Sequence, residues 1–335
     1  MEEQKAERKS GGKKGVAAVI SLAVACVLLL AAVIALLLPN IQSITQYNEA
    51  VALMNSGKYS EAIAAFEAMG GYSDSQEQIE KCRGAIVDGK YSDAVAAVAS
   101  GDYITAYELF DELDGYKDSQ TQKEQIWPDY KQALLDHAYE SGTVFFGSYE
   151  QDNDLTNGQE DIEWIVLDKK GDKLFLISKY ALDSQPYNET MGDVTWEIST
   201  LRAWLNDSFY NTAFSSQEQN MILTTEVSAD RNAQFGVNPG NGTQDKVFLL
   251  STEEAEEFFW SDLERLCEAT AYAEARGVGV NNANGSCSWW LRTPGWDLYV
   301  GGCVDAYGVV SCVGDYVYHL TDGARPVIWI DLGAQ

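Results

Sequence analysis

Trp289-Trp290-Leu291-Arg292-Thr293-Pro294-Gly295 opens the stretch that decides the fold of this chain, and Gly323-Ala324-Arg325-Pro326-Val327-Ile328-Trp329-Ile330 closes it. Both ends join aromatic and β-branched residues to an Arg and a Pro, which suits buried framework strands. The residues between them are rich in Tyr, Gly, Asp, Val and Cys and show no helical period. That pattern predicts short strands whose outer faces display side chains for contact. Tyr and Trp supply large contact area at low entropic cost, and Gly, Ser and Asp adapt around them. The expectation is a binding surface held between two rigid strands; an ordinary antiparallel sheet with an aromatic face is the plainer alternative.

Upstream, further motifs occur in order: Phe146-Gly147-Ser148-Tyr149, Ile162-Glu163-Trp164-Ile165-Val166-Leu167, Leu176-Ile177-Ser178-Lys179-Tyr180 and Leu201-Arg202-Ala203-Trp204-Leu205-Asn206. With the two framework ends, they resemble a bacterial domain family of unassigned function over residues 143–332. That family is similar to the C-type-lectin fold, including the variable proteins of diversity-generating retroelements. Ala324 departs from the pattern, which usually has Val before Arg-Pro. The resemblance implies an α+β, C-type-lectin-like domain. In the variable proteins the segment between the last two motifs contacts the ligand. Here that implies ligand-binding roles for Trp296, Asp297, Tyr299, Asp305, Tyr307, Ser311, Asp315, Tyr316, Tyr318 and His319. The fold also resembles formylglycine-generating enzymes, which need two active-site cysteines; Cys303 and Cys312 are the pair this segment offers.

The chain of 335 residues has room for two domains. Its formal net charge of −28 argues against nucleic acid, whose phosphates it would repel. Residues 1–15 are nevertheless basic, with Lys5, Arg8, Lys9, Lys13 and Lys14 against Glu2, Glu3 and Glu7. Val16 to Leu38 carries no charge and only Ser21 as a hydroxyl. A helix over it would rise roughly 34 Å, enough for a hydrocarbon core of about 30 Å. The expectation is therefore a transmembrane helix at 16–38 behind a cytoplasmic basic tail at 1–15, in a single-pass cell-membrane protein whose C-terminal domain is extracytoplasmic. The run ends Leu36-Leu37-Leu38-Pro39-Asn40, without the small-residue site of a cleaved signal peptide.

Residues 41–137 read as an all-α stalk of tetratricopeptide-like repeats. Ser56-Gly57-Lys58-Tyr59-Ser60-Glu61-Ala62 is echoed by Ser100-Gly101-Asp102-Tyr103-Ile104-Thr105-Ala106. Gly71-Tyr72-Ser73-Asp74-Ser75-Gln76 is echoed by Gly115-Tyr116-Lys117-Asp118-Ser119-Gln120. A shorter third unit begins at Gly89-Lys90-Tyr91-Ser92-Asp93-Ala94. Each Gly is expected to close a helix and each Ala to permit close helix approach. Spacing, or contact with a protein partner, is the expected job.

The domain expected over 141–335 starts with strands at 144–149, 162–167 and 173–179. The acidic segment between the first two holds Glu150, Asp152, Asp154, Glu160 and Asp161, but lacks the Gly of a helix-loop-helix calcium loop. A solvated hairpin loop is expected, and no metal. A helix capped by Ser199 or Thr200 comes next, then one from Ser215 to Leu223, a strand at 247–250 and an acidic helix capped by Ser251. Strands, helices and then more strands suit an α+β domain.

Chemistry is sparse. His137 and His319 are the only histidines, and Cys-x-x-Cys, Gly-x-Ser-x-Gly and phosphate-binding Gly loops are absent. Trp204-Leu205-Asn206-Asp207 is not the calcium-sugar motif of true lectins. Neither an enzyme nor a cofactor is expected. Cys303 and Cys312 could staple neighbouring strands, or remain free thiols. The expected function is binding of an extracellular protein or glycan by a displayed domain, of which a retroelement-diversified receptor would be one form. The competing reading is a structural or sensory envelope protein that recruits partners through its stalk.

Overall fold

The computed structural model describes Leu22, residues 24–31 and residues 41–333. The class is α+β, with a helical N-terminal region and a β-rich C-terminal domain, in two compact units that divide between Ile126 and Trp127.

The transmembrane part of the expected fold is corrected. Among the described residues no helix is long and apolar enough to cross a membrane. Of the 16–38 stretch only Leu22 and residues 24–31 are described, as exposed helix. The single-pass, cell-membrane localisation and the cell-surface display rested on that helix and fall with it. The rest of 16–38 and the basic tail at 1–15 lie outside the described residues.

The helical unit contains α1 (residues 41–55), α2 (Tyr59–Glu67), α3 (Ser75–Ser100) and α4 (Tyr103–Glu112), and α5 (Ser119–Ser141) begins in it. Gly57 and Gly101 both have φ of 80°, the left-handed conformation that ends α1 and α3. Gly89 does not close a helix, because it lies inside the unbroken α3. Side-chain geometry explains why. Tyr47 donates to Asp74 and packs on Phe66 at 5.7 Å, while Tyr91 donates to Asp118 and packs on Phe110 at 6.0 Å. Gln78 then donates to Asp74 at 2.7 Å, and Gln122 to Asp118 at 2.9 Å. The segment expected to start a third unit is thus the first helix of the second repeat, with Tyr91 standing where Tyr47 stands in the first. Ala50, Ala62 and Ala94, Ala106 are fully buried at the matching helix contacts.

In the second unit β1 (Thr143–Tyr149), β2 (Glu160–Lys170) and β3 (Lys173–Ser178) form an antiparallel meander. β4 (Asp183–Ser184) leads into α6 (Thr200–Trp204), a π turn (Leu205–Phe209) and α7 (Tyr210–Ala213). The Ser199 side chain caps α6 by accepting from Arg202 N–H. α8 (Ser216–Met221) has a Ser215–Glu218 capping box and precedes the hairpin of β5 (Thr225–Val227) and β6 (Thr243–Asp245). Residues 247–250, expected as a strand, make only a single bridge, Phe248 to Val327. α9 (Thr252–Phe258) carries a Ser251–Glu254 capping box; α10 (Asp262–Arg265) and α11 (Ala271–Arg276) complete the helices. β7 (Trp289–Pro294), β8 (Val300–Val304), β9 (Val310–Tyr316), β10 (Gly323–Ala324) and β11 (Val327–Asp331) end the chain.

Besides the two-stranded β5-β6 sheet, two larger sheets result, ordered β1-β2-β3-β11 and β4-β10-β7-β8-β9. Arg325-Pro326 carries the chain from the second sheet to the first. There the buried Arg325 guanidinium donates to Ser178 O at 2.9 Å and lies 4.8 Å from the Trp289 ring. All six residues of β7 are buried. Each polar head there has a partner: Trp289 donates to Arg265 O at 3.1 Å and Trp290 to Gln185 O at 3.0 Å. Arg292 reaches Leu249 O at 2.9 Å and pairs with both Asp230 and Glu254. This is the rigid frame on which the outer strands rest.

Candidate functional site

β8 and β9 project from the edge of that frame. Val300 faces Tyr316 and Gly301 faces Asp315 across the ladder, and the register then shifts before Cys303 meets Ser311. The shift is a bulge at Gly314, whose φ is 76° and where a Cβ would fall 2.0 Å from Gly301 O. Ser311 Oγ accepts from Gly314 N–H at 3.1 Å. A bulge of this kind re-aims the side chains beyond it.

Beyond the bulge Tyr316, Tyr318 and His319 join Trp296 and Tyr299 of the β7–β8 connection in an aromatic strip. Trp296 meets Tyr299 edge-on at 5.2 Å, Tyr299 stacks on Tyr316 at 6.1 Å, and Tyr316 stacks on Tyr318 at 5.9 Å. His319 packs edge-on against Tyr318 at 4.7 Å and Tyr316 at 5.4 Å. Trp296, Tyr316 and Tyr318 are each a little over 40% exposed. Offset and edge-on pairs of this kind hold one another in place beyond their area burial.

Acidic groups lie along the strip. Asp297 caps its own turn through Leu298 N–H at 2.7 Å. Burial, then the charges of Asp297, Tyr316 and Asp193, raises the Tyr299 phenol above its usual range. Asp315 pairs with His319 Nδ1 at 2.8 Å. Burial pushes the Asp315 carboxyl up, but hydrogen bonds from His319, the Tyr316 N–H and Asp322 hold it below its usual value. Asp322 behind it is 2% exposed; burial and the Asp315 charge push its carboxyl up to about 8.

The remaining expected contact residues lie apart from the strip. Asp305 accepts from Tyr307 N–H at 2.8 Å and Val309 N–H at 3.0 Å, which commits it to the β8–β9 turn. Tyr307 is exposed at that turn, and Ser311 serves the bulge. Of the two alternatives for Cys303 and Cys312, a staple or free thiols, the structure has free thiols. Cys303 lies opposite Ser311, so Cys312 points to the other face of the sheet. Burial, then Asp322, pushes the Cys303 thiol well above its usual value, while Cys312 lies near Glu256. Both are free thiols.

Several further groups carry no local motif, and only the packed chain reveals them. Asn232 is fully buried and donates to Pro294 O, Gly295 O and Cys312 O at 3.0, 3.0 and 2.8 Å, tying β9 to the end of β7. Asp193 borders Tyr299, and Trp260 is 91% exposed. Cys267 and Cys287 are both buried, and the Cys267 thiol donates to Glu268 O at 3.4 Å.

Residues 171–332 match the family described as "Domain of unknown function (DUF6273)". No curated protein and no solved structure matches the chain.

Proposed function

We propose that the aromatic strip is a binding face for a protein or a glycan, and that the C-terminal domain works as a binding module rather than an enzyme. The observation that carries this reading is the run of five rings from Trp296 to His319, each set against the next and partly exposed, on a sheet whose inner strand is wholly buried. Rings fixed before the encounter lose little freedom on binding. Their faces suit the apolar side of a sugar ring or a protein's aliphatic and aromatic side chains. Asp297, Asp193 and Asp315 add acceptors for hydroxyls or basic groups along the margin. A thiol as buried as Cys303, with its pKa raised, is a poor nucleophile, which supports binding over catalysis.

The resemblance to retroelement variable proteins supports the same face. Diversification would leave a near-copy of the codons for 290–325, altered mainly at adenines, beside a reverse transcriptase. Binding itself is tested with a Tyr316→Ala, Tyr318→Ala double variant against panels of purified glycans and proteins. Wild-type protein should capture ligands that the variant binds at least about tenfold more weakly, a loss of about 1.4 kcal/mol. Unchanged affinity for every captured ligand would overturn the assignment of this face.

A further inference from the structure

Glu150, Asp152 and Glu160 come together at the loop end of the β1–β2 hairpin, far from the aromatic strip in sequence. Tyr149 lies opposite Glu160 in the ladder, so the residues just after β1 and at the start of β2 are neighbours. One oxygen from each carboxylate lies within 4.8 Å of the others. Oxygens around a Ca2+ ion at about 2.4 Å can be up to about 4.8 Å apart, so a single ion can touch all three.

Glu150 shows that something is needed there. It is 6% exposed, and its Oε1 has no hydrogen-bond partner. A buried carboxylate oxygen without a donor is costly and calls for a missing partner. Burial, together with the Glu160 and Asp152 charges, pushes the Glu150 carboxyl up, against the Asn153 N–H that lowers it. The ion pairs nearby do not relieve this cluster: Lys179 is paired with Glu163 and Arg276 with Asp183, each at 2.7 Å.

The other two carboxylates are already oriented. Glu160 Oε2 accepts from Gln151 N–H at 2.6 Å and Asp152 N–H at 3.2 Å. Asp152 accepts from Asp154 N–H and from Asn157 Nδ2, both at 2.7 Å. Such outer hydrogen bonds fix ligands before a metal arrives. A cavity of about 220 Å3, bordered by Gln151, Asp152, Tyr180, Ala269 and Thr270, leaves room beside Asp152 for water ligands and entry. All-oxygen, carboxylate-rich coordination on an irregular loop suits calcium, whose shell is flexible, better than magnesium, which demands a near-ideal octahedron. We propose that Glu150, Asp152 and Glu160 bind one calcium ion that pins the β1–β2 loop. The spacing that excludes a helix-loop-helix site does not bear on a site assembled by strand pairing.

The test uses the full chain, stripped of metal with a chelator and titrated with calcium chloride alone by calorimetry and by thermal unfolding. One saturable site is expected, with a dissociation constant between about 10⁻⁶ and 10⁻³ M, and a higher unfolding midpoint with calcium. Glu150→Gln and Asp152→Asn should each weaken binding at least about tenfold. Without calcium, Glu150→Gln should unfold no earlier than the wild type, because it removes one of three repelling charges. Should Glu150→Gln not fold, the exposed Asp152 gives the decisive variant. Absence of saturable calcium binding would overturn the proposal. So would binding that survives both substitutions, tighter binding of magnesium chloride, or an equal shift with sodium chloride at matched ionic strength.

Discussion

β7 and β9 lie one strand apart in the same sheet, yet they behave as opposites. β7, between β10 and β8, buries all six of its side chains, and its polar heads are fully engaged. β9 forms the edge of the sheet, and Val313 and Tyr316 on it are 53% and 41% exposed. An edge strand invites pairing with another chain. Here the bulge at Gly314 bends the edge, Asn232 takes Cys312 O, and Trp296 N–H takes Val313 O at 3.2 Å. The inner strand thus carries stability, and the outer one is free to carry contact. The difference arises from position in the sheet, since both strands are rich in aromatic and β-branched residues.

The sharpest way to break the contrast is at the inner strand. Arg292→Ala leaves Asp230 and Glu254 facing each other without their shared cation. Loss of a buried ion-pair partner of this kind costs about 3–5 kcal/mol, and denaturant unfolding of the C-terminal domain should show it.

Asp322 sharpens it with pH. Its carboxyl is raised to about 8 in the folded protein and titrates at about 4 when unfolded, so the folded state holds the extra proton between those values. The stabilising contribution is full below about pH 4 and is lost as pH rises towards about 8, by at most about 1.4 kcal/mol per pH unit. Asp322→Asn should flatten that slope in a series of unfolding curves; an unchanged slope would remove Asp322 as its source.

A smaller effect is expected at Asn232. Alanine there abandons three carbonyls and frees β9 from the end of β7. A loss of about 1–3 kcal/mol is expected, with faster hydrogen exchange in β9 than in β7. Smallest of all should be the stability effect of Tyr316→Ala with Tyr318→Ala, about 1 kcal/mol or less, because both rings are largely on the surface. If that variant unfolded as easily as Arg292→Ala, the strip would belong to the frame.

The local features of the fold were legible. Ser199 and Ser251 announced their helices, and the Trp289–Pro294 and Gly323–Ile330 ends read as frame because apolar runs around an Arg and a Pro leave few alternatives. The helical repeat was legible in part. Its Gly-Tyr echo was plain, but Gly89 looked like a helix end until Tyr91 was seen to repeat the contacts of Tyr47. At the candidate site, the rings were legible as a composition, whereas the roles of Asp305 and Ser311 in the turn and the bulge were not. Their work is in backbone hydrogen bonds, which no local pattern marks.

What the sequence by itself determined is the chemistry available to each segment: capping hydroxyls, glycines that end helices, an aromatic run between two apolar ends. Tertiary structure alone decided which groups face one another. Asp315 against Asp322, Cys303 away from Cys312, and Glu150 beside Glu160 all arise from strand register and from bulges within it. A shift of one residue would turn each side chain to the opposite face. Register is fixed by contacts between strands distant in the chain, so it is set by the packed whole.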